Sequence, residues 1–128
     1  MTRAVPMRVC PGPKAGALHV LDPLAFVAQR LFWFDAPRGA VRGGHAHRTC
    51  QQLVIPVLGT IVARARRYVR GRLRARTWRL TPSAALVVPA LVWLDLEFAT
   101  DGICVVLASE GYNAAEYINT LAELRRLS

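Results

Sequence analysis

The chain has 128 residues, of which 53% are hydrophobic and 20% charged, so it is long enough for one domain with a real core and too apolar to be disordered. Its 17 Lys and Arg outnumber 8 Asp and Glu, which gives a net charge of +9, and Lys14 is the only lysine. This balance points to anionic partners such as phosphates or nucleic acid. A genome that favours arginine would produce the same composition.

The cysteines and the longest apolar runs exclude two further classes of protein. Cys10, Cys50 and Cys104 cannot all pair and form no C-x-x-C motif, which argues against a disulfide scaffold or a zinc knuckle and predicts small core residues. The longest apolar run, residues 84–94, is interrupted by Pro89 and falls short of the roughly 18 residues of a membrane helix. The first ten residues lack the apolar segment of a signal peptide. We therefore expect a cytoplasmic protein that does not enter a membrane.

Short apolar runs separated by turn residues predict a succession of strands. Pro56 lies inside one of them and indicates a bulge or a sheet edge there. The T-D-G sequence at 100–102 is typical of a hairpin turn. About eight strands at intervals of roughly ten residues predict a sandwich, a jelly roll or a small barrel. The runs best suited to strands are 30–35, 51–58, 60–65, 73–80, 86–89, 92–98 and 103–108.

Helical spacing occurs in one place, at the end of the chain. Across residues 113–127, apolar side chains such as Leu121 and Leu124 recur three and four positions apart. Asn113 is a suitable N-cap, with Glu116 at the third helical position as in a capping box. The sequence therefore predicts a C-terminal helix over 113–127.

The segment R-G-G-H-A-H-R, residues 42–48, carries the strongest chemical signal. On a strand, His45 and His47 point to the same face, and two imidazoles in one cavity suit either metal binding or proton transfer. The two preceding glycines allow the backbone to approach another group closely. A pair of surface histidines in a loop is the alternative. His19 is the only other histidine, and nothing in the sequence places it nearby.

Residues 64–79 contain eight arginines in sixteen positions. A nucleic-acid-binding protein could use such a stripe. The arginines alternate with other residues, however, and no recognition helix, aromatic RNA-binding pair or zinc site accompanies them. This pattern favours a solvated sheet face, and we do not expect nucleic acid as a partner.

Strands of this number around an H-x-H motif resemble the cupin superfamily. After the H-A-H sequence, Gln52 and Gly59 follow at the spacing of the first cupin motif, but Gln52 stands where cupins that bind metal have an acidic ligand. The second motif corresponds to residues 89–94, which contain no histidine. Two neutral ligands are too few for a divalent ion, which usually takes three or four. We therefore expect neither a metal nor another cofactor.

A narrower resemblance covers about residues 28–120. The chain is similar to the cupin-type nucleotide-sugar 3,4-ketoisomerases that act on dTDP-4-keto-6-deoxyglucose, the WxcM-like family. The segments that carry this similarity are R-L-F-W-F (30–34), R-G-G-H-A-H-R (42–48), Q-L-V-I-P-V-L-G (52–59), V-P-A-L-V-W (88–93), V-L-A-S-E-G-Y-N (106–113) and E-Y-I (116–118).

The resemblance implies an all-β fold, a cupin jelly roll without metal, here forming a single domain over residues 1–128 with one short C-terminal helix. It also implies a homodimer in which strands of residues 1–27 are exchanged. The implied activity is isomerisation in deoxysugar biosynthesis, moving the ketone of dTDP-4-keto-6-deoxyglucose from C4 to C3. In that family the motif histidines, here His45 and His47, carry the proton transfer.

Substrate-binding candidates follow partly from the resemblance and partly from residue chemistry. The family places Arg42 in the pocket and makes Arg30 a candidate for the nucleotide or its diphosphate, and both guanidinium groups can bind phosphate oxygens as a fork. The thymine ring could stack on a tryptophan, although core packing is the alternative role for that residue. The further candidates are Trp33 or Trp93 for the base, Tyr112 or Tyr117 for the sugar, and Gln52 for a sugar hydroxyl or an imidazole.

Three departures from the family pattern leave a second function open. The family's opening D-x-R-G-x-L element reads P-K-A-G-A-L at 13–18, Leu94 stands where the family often has histidine, and an acidic turn is replaced by R-R-Y-V-R-G at 66–71. The first two bear on the substrate pocket and on the configuration of the product at C4. The alternative is a cupin module that binds a nucleotide sugar or another phosphorylated metabolite without catalysis.

Overall fold

A computed structural model describes residues 1–11 and 15–128 of the chain. Pro13 and Lys14, at the start of the altered D-x-R-G-x-L element, lie outside the described residues. The strands are β1 (Arg3–Pro6), β2 (Arg8–Pro11), β3 (Ala17–Val20), β4 (Arg30–Ala36), β5 (Val41–His47), β6 (Gln52–Leu58), β7 (Ile61–Val69), β8 (Arg72–Leu80), β9 (Ala84–Val88), β10 (Trp93–Phe98), β11 (Gly102–Ala108) and β12 (Tyr117–Ile118). A 3₁₀ turn covers Ala114–Glu116, and the helix α1 covers Leu121–Leu127.

Two antiparallel sheets of five strands form the body of the protein. Sheet I has the strand order β1-β9-β6-β11-β4, and sheet II has the order β12-β5-β10-β7-β8. The strands β2 and β3 form a separate hairpin. Because consecutive strands repeatedly cross from one sheet to the other, this is a jelly roll, one of the three folds that the strand spacing allowed and the one that the resemblance implied.

The core lies between the two sheets, where alternate residues of each strand face inward. On β10, for example, Leu94, Leu96 and Phe98 are buried, and Phe98 is the largest fully buried side chain. Burial of a phenylalanine stabilises a fold by about 2–3 kcal/mol. Cys50 and Cys104 are buried free thiols, as predicted, whereas Cys10 is half-buried. No helix among the described residues is long and apolar enough to span a membrane.

Pro56 sits at a bulge, as its position inside an apolar run predicted. The neighbouring strand β9 pairs with β6 only at Gln52, Leu53 and Val54, so the missing N–H of Pro56 removes no bond from that ladder. On the other side, the register between β6 and β11 shifts by one residue beside Cys104. The shift places an unpaired residue next to the proline.

The hairpin predicted at 100–102 is wrong. The strands on either side of this turn belong to different sheets, since β10 pairs within sheet II and β11 within sheet I. The turn packs against the short connection between β6 and β7, where a Cβ on Gly59 would collide with the carbonyl oxygen of Asp101. Gly59 also has a φ of 83°. The tight crossing between the two sheets therefore requires a glycine at position 59, the glycine of the cupin-like spacing.

The predicted helix over 113–127 is also wrong in its first half. The side chain of Asn113 caps the 3₁₀ turn by accepting a hydrogen bond from the backbone N–H of Ala115 at 3.1 Å. The chain then extends so that β12 pairs with β5, and α1 begins only after Thr120, whose hydroxyl accepts from the N–H of Glu123. Strand pairing and complete burial of Ile118 outweigh the helical spacing of the intervening residues.

Candidate active site

A bulge in β5 brings Arg42 onto the same face as the two histidines. The residue pairs between β5 and β10 include His45 with Leu94 and Arg42 with Leu96, and the register shifts between these two pairs. Paired residues on antiparallel strands face the same side, and both leucines point into the core. His45 and Arg42 are three positions apart, so on a regular strand they would face opposite sides.

Gly43 and Gly44 form this bulge. Their φ values are 94° and 79°, in the region that favours glycine. A Cβ on Gly43 would collide with the carbonyl oxygen of Leu94, whereas a Cβ on Gly44 would have no contact closer than 3.7 Å, to Asp95. The close approach expected from the two glycines is therefore an approach to β10, and it decides which side chains enter the site.

The rings of His45 and His47 lie side by side, with centroids 5.1 Å apart and an interplanar angle of 79°. Tyr117 on β12 stacks on His45 at 4.6 Å and meets the edge of His47 at 4.8 Å. His47 is only 7% exposed, and His45 is half-buried. The two imidazoles therefore share one face of β5, as alternation predicts, and are not a pair of surface histidines in a loop.

Burial makes both imidazoles weaker bases than an exposed histidine. Desolvation lowers the pKa of His47 from 6.5 to about 4, with smaller contributions in the same direction from His45 and Arg30, while Glu116 opposes the shift. Desolvation also lowers the pKa of His45, against opposing contributions from the Gly43 backbone and Asp95. Both rings are therefore neutral at pH 7, and either can accept a proton.

Glu116 is a buried carboxylate behind His47. Burial tends to raise its pKa, but hydrogen bonds from the backbone of Cys50 and from the backbone and hydroxyl of Thr49 outweigh that effect and lower the pKa. The backbone bond from Cys50 is 2.8 Å long. One carboxylate oxygen lies 3.9 Å from Nδ1 of His47. The sequence pattern presented Glu116 as a helix-capping residue and contained no signal for this contact.

Neither ring nitrogen of His47 has a hydrogen-bond partner within the described part of the chain, although both are buried. Uncompensated buried polar atoms cost free energy and are uncommon in folded proteins. They are found where a site is arranged to receive a proton or a ligand.

Arg30 and Tyr112 lie at the rim of the same site. The guanidinium carbon of Arg30 is 4.5 Å from the ring centre of Phe32 and 5.2 Å from that of Tyr112. Tyr112 is 69% exposed, and its ring lies 6.0 Å from that of Tyr117. Cation–π contacts of this kind hold the guanidinium in place without neutralising its charge.

The guanidinium carbon of Arg42 lies 4.6 Å from the ring centre of Phe34. Phe34 also lines a cavity of about 30 Å³ together with His45 and the buried side chain of Gln52. Phe32 and Phe34 were not among the predicted site residues. The alternation within R-L-F-W-F could have found them, because it puts both rings on the face of Arg30.

The structure does not bring Trp93 into the site. Leu94 faces the cavity, so its neighbour on β10 faces outward, and Trp93 is buried beneath α1 against Ile118 and Leu124. Its suggested stacking on thymine is therefore wrong, and core packing is its role. Trp33 is 63% exposed on the outer face of β4 and does not face the histidines either.

His19 is separate from the other two histidines. Its Nδ1 lies 3.0 Å from the carbonyl oxygen of Pro82, on the hairpin of β2 and β3. Among residues 1–11 and 15–128, no group of three or more His, Cys, Asp and Glu side chains is arranged to hold a metal ion.

Solved structures share this fold over nearly the whole chain. QdtA, a sugar 3,4-ketoisomerase from Thermoanaerobacterium thermosaccharolyticum in complex with TDP, is 23% identical, with a TM-score of 0.85 over 98% of this chain and 92% of that one. A 3,4-ketoisomerase from Helicobacter canadensis is 24% identical, with a TM-score of 0.85 over 98% and 96%. WlaRB, a TDP-quinovose 3,4-ketoisomerase from Campylobacter jejuni, is 24% identical, with a TM-score of 0.84 over 98% and 97%. At these identities the comparisons establish the fold, a cupin jelly roll.

The sequence comparison assigns the family. No curated protein matches the chain. Residues 14–128, however, match the family model described as "FdtA: WxcM-like, C-terminal". Because that match covers most of the chain, it confirms the resemblance read from the sequence motifs, and the protein belongs to the WxcM-like C-terminal family.

Proposed function

We propose that this protein is a nucleotide-sugar 3,4-ketoisomerase that moves the ketone of dTDP-4-keto-6-deoxyglucose from C4 to C3 in deoxysugar biosynthesis. The observation that carries the proposal is the pair of neutral, partly desolvated imidazoles of His45 and His47 beside two guanidinium groups. The three similar structures described above are 3,4-ketoisomerases by name, and QdtA was solved with TDP.

The reaction needs only proton transfers. The C4 ketone acidifies the hydrogen on C3, and a neutral imidazole removes that proton to form an enediolate across C3 and C4. The oxygen on C4 then takes up a proton, the C3 hydroxyl loses one, and protonation of carbon C4 leaves a hydroxyl at C4 and the ketone at C3. No redox cofactor is needed, because the electrons are redistributed within the sugar. A positioned imidazole contributes about 10²–10⁴-fold to such a step.

Glu116 favours His47 as the base that takes the proton from carbon. Once protonated, the His47 imidazolium lies 3.9 Å from a carboxylate held in place by backbone N–H groups. Attraction between opposite charges in a desolvated site stabilises the imidazolium. His45, which is less buried, then exchanges the hydroxyl proton.

Arg42 is placed to stabilise the enediolate oxygen, and Arg30 to bind the diphosphate. Hydrogen-bond donors aimed at a developing oxyanion contribute about 3–4 kcal/mol in other enzymes. The cavity of about 30 Å³ beside His45 is too small for a sugar ring. We therefore place the sugar at the open rim of the site, beneath the exposed ring of Tyr112, which stays the candidate for contact with the sugar.

The experiment is incubation of the purified protein with dTDP-4-keto-6-deoxyglucose, followed by proton NMR in D₂O. We expect the 3-keto isomer to accumulate and the C3 hydrogen of the substrate to disappear. If the substrate is bound but remains unchanged, the isomerase proposal is wrong and the alternative, a non-catalytic nucleotide-sugar module, is supported. Leu94 favours that alternative, since it puts an apolar side chain into the cavity of His45.

We further propose that the protein is a homodimer formed through the outer face of sheet I and residues 1–27. That face exposes a row of apolar side chains, including Leu31 at 56% and Trp33 at 63%. In the isolated chain, β1 pairs with its own β9, so the strand exchange implied by the family would involve the β2–β3 hairpin. Light scattering should give twice the chain mass, and Trp33→Glu should give a monomer. A cytoplasmic location stays a prediction of the sequence.

A further inference from the structure

A second cleft lies at the other edge of sheet II, between the first residues of the chain and the strands β7 and β8. Its volume is about 190 Å³, and Arg67, Arg74, Arg76 and Trp78 line it. Strand pairing sets its distance from the histidines, because the row across the sheet is His45, Leu94, Ala65 and Arg76. Three strand spacings of about 4.8 Å separate the ends of that row.

A buried side chain separates this cleft from the proposed active site. Val92 is 4% exposed and lines both the arginine cleft and the small cavity of His45. A diphosphate attached directly to a sugar at His45 and His47 would lie beside Arg30 and not on the far side of Val92. The cleft is therefore a separate site.

The arginines on the two faces of β7 differ in their partners. On the outer face, Arg64 is 3.3 Å from Glu97, and Arg66 is 3.1 Å from Asp95. On the inner face, Arg67 and its neighbours in the cleft form no salt bridge within residues 1–11 and 15–128. The lining of the cleft contains no acidic residue.

Two of these charges are directly opposed. Arg67 on β7 is paired in register with Arg74 on β8, so their side chains leave the same face of neighbouring strands. Like charges opposite each other destabilise a sheet. The third guanidinium, that of Arg76, is held 4.8 Å from the ring centre of Trp78. An anion in the cleft would relieve the repulsion between Arg67 and Arg74.

We propose that this cleft binds the phosphate group of a small phosphorylated metabolite through Arg67 and Arg74, independently of the substrate at His45. Two guanidinium forks on adjacent strands suit the tetrahedral oxygens of a phosphate or diphosphate. The cleft is closed on one side by the N-terminal residues, with Thr2 only 6% exposed. The volume of about 190 Å³ suits a small ligand better than a nucleic-acid strand, which needs a groove long enough for several nucleotides.

The probe is inorganic pyrophosphate, followed through the indole N–H signals of the three tryptophans in two-dimensional NMR. Trp78→Phe assigns the signal of the cleft. Trp33, exposed on β4, and Trp93, buried beneath α1, do not line the cleft and serve as internal references. We expect a saturable shift of the Trp78 signal that is unchanged in Arg30→Gln/Arg42→Gln. In Arg67→Gln/Arg74→Gln, affinity should fall at least tenfold while conversion of the keto sugar is retained.

The matched control is Arg38→Gln/Arg79→Gln, which removes the same charge from exposed positions that do not line the cleft and should change affinity less than twofold. Equal weakening by both double variants would mean non-specific attraction to a basic protein and would overturn the proposal. So would a shift of the Trp78 signal caused only by a single-stranded oligonucleotide and not by pyrophosphate. Retained isomerase activity with no pyrophosphate binding would overturn this inference alone.

Discussion

The two edges of sheet II carry the two most unusual clusters of the sequence, and the fold places them in different surroundings. At the β5 edge, His45 and His47 are partly or fully buried against Tyr117 and Glu116, so burial sets their pKa values. At the β8 edge, residues 72–77 are exposed. Desolvation and fixed partners control the protonation of the histidines at the first edge, whereas the arginines at the second edge are largely exposed to water. This difference is the basis of the two proposals, proton transfer at the first edge and anion binding at the second.

The largest expected effect comes from removing either imidazole at the β5 edge. His45→Asn and His47→Asn should each lower turnover of dTDP-4-keto-6-deoxyglucose by about 10²–10⁴-fold, because each removes a general acid or base. The NMR conversion assay measures this. His19→Asn is the matched control and should keep near-normal turnover. Near-normal turnover in both motif variants would show that His45 and His47 do not carry the proton transfer.

Gly43→Ala tests whether the bulge assembles that edge. The new Cβ would collide with β10, and the residue would remain at positive φ. We expect a loss of about 2–4 kcal/mol in the free energy of unfolding from strain and displacement of β5, together with loss of activity. Gly39→Ala, at a φ of 88° but with no atom within 4 Å of its Cβ, should cost about 1 kcal/mol. Equal costs in urea unfolding would show that the contact with β10 is unimportant.

The pH dependence of stability reports the burial of His47. Its pKa falls from 6.5 to about 4 on folding, so between these values the unfolded chain binds a proton that the folded chain does not. The contribution of the neutral His47 to the free energy of unfolding should therefore be fully present above pH 6.5 and fall as the pH drops towards 4. From pH 7 to pH 5 we expect a loss of about 2 kcal/mol from this group in urea unfolding. The His47→Asn variant should lose correspondingly less, and an identical loss would contradict the assignment.

Glu116→Gln should have the smallest effect on the chemistry. It removes the charge facing His47, and we expect kcat to fall about tenfold, equivalent to about 1.4 kcal/mol, with KM little changed. Glu110 accepts a hydrogen bond from the same Thr49 hydroxyl at 2.7 Å, so Glu110→Gln is the matched control. A similar loss in both variants would mean that the carboxylate of Glu116 only supports the loop.

Much of the candidate site could be predicted from local patterns, because alternation along a strand is a property of the chain itself. His45 and His47 share a face for that reason, and the same rule groups Arg30 with Phe32 and Phe34. The strand positions and the two-sheet fold follow from apolar runs and turn residues in the same way. Family membership came from motif order, which also requires no coordinates.

The remaining features depended on partner strands. Arg42 reaches the histidine face only because the register with β10 shifts at Gly43. Part of the expected helix is instead the strand β12, because these residues pair with β5. Trp93 lies outside the site because it is on the outer face of β10, which α1 covers. The helix α1 is short because β12 takes up the residues before it.

The sequence by itself determined the strand pattern, the family and the two imidazoles on one face, since these follow from residue type and spacing. Only the tertiary structure decided which side chains surround those imidazoles, how far burial lowers their pKa, and that Arg67 faces Arg74 across a cleft. The physical reason is that register, bulges and desolvation are set by segments distant in the chain, whereas periodicity is set by neighbouring residues.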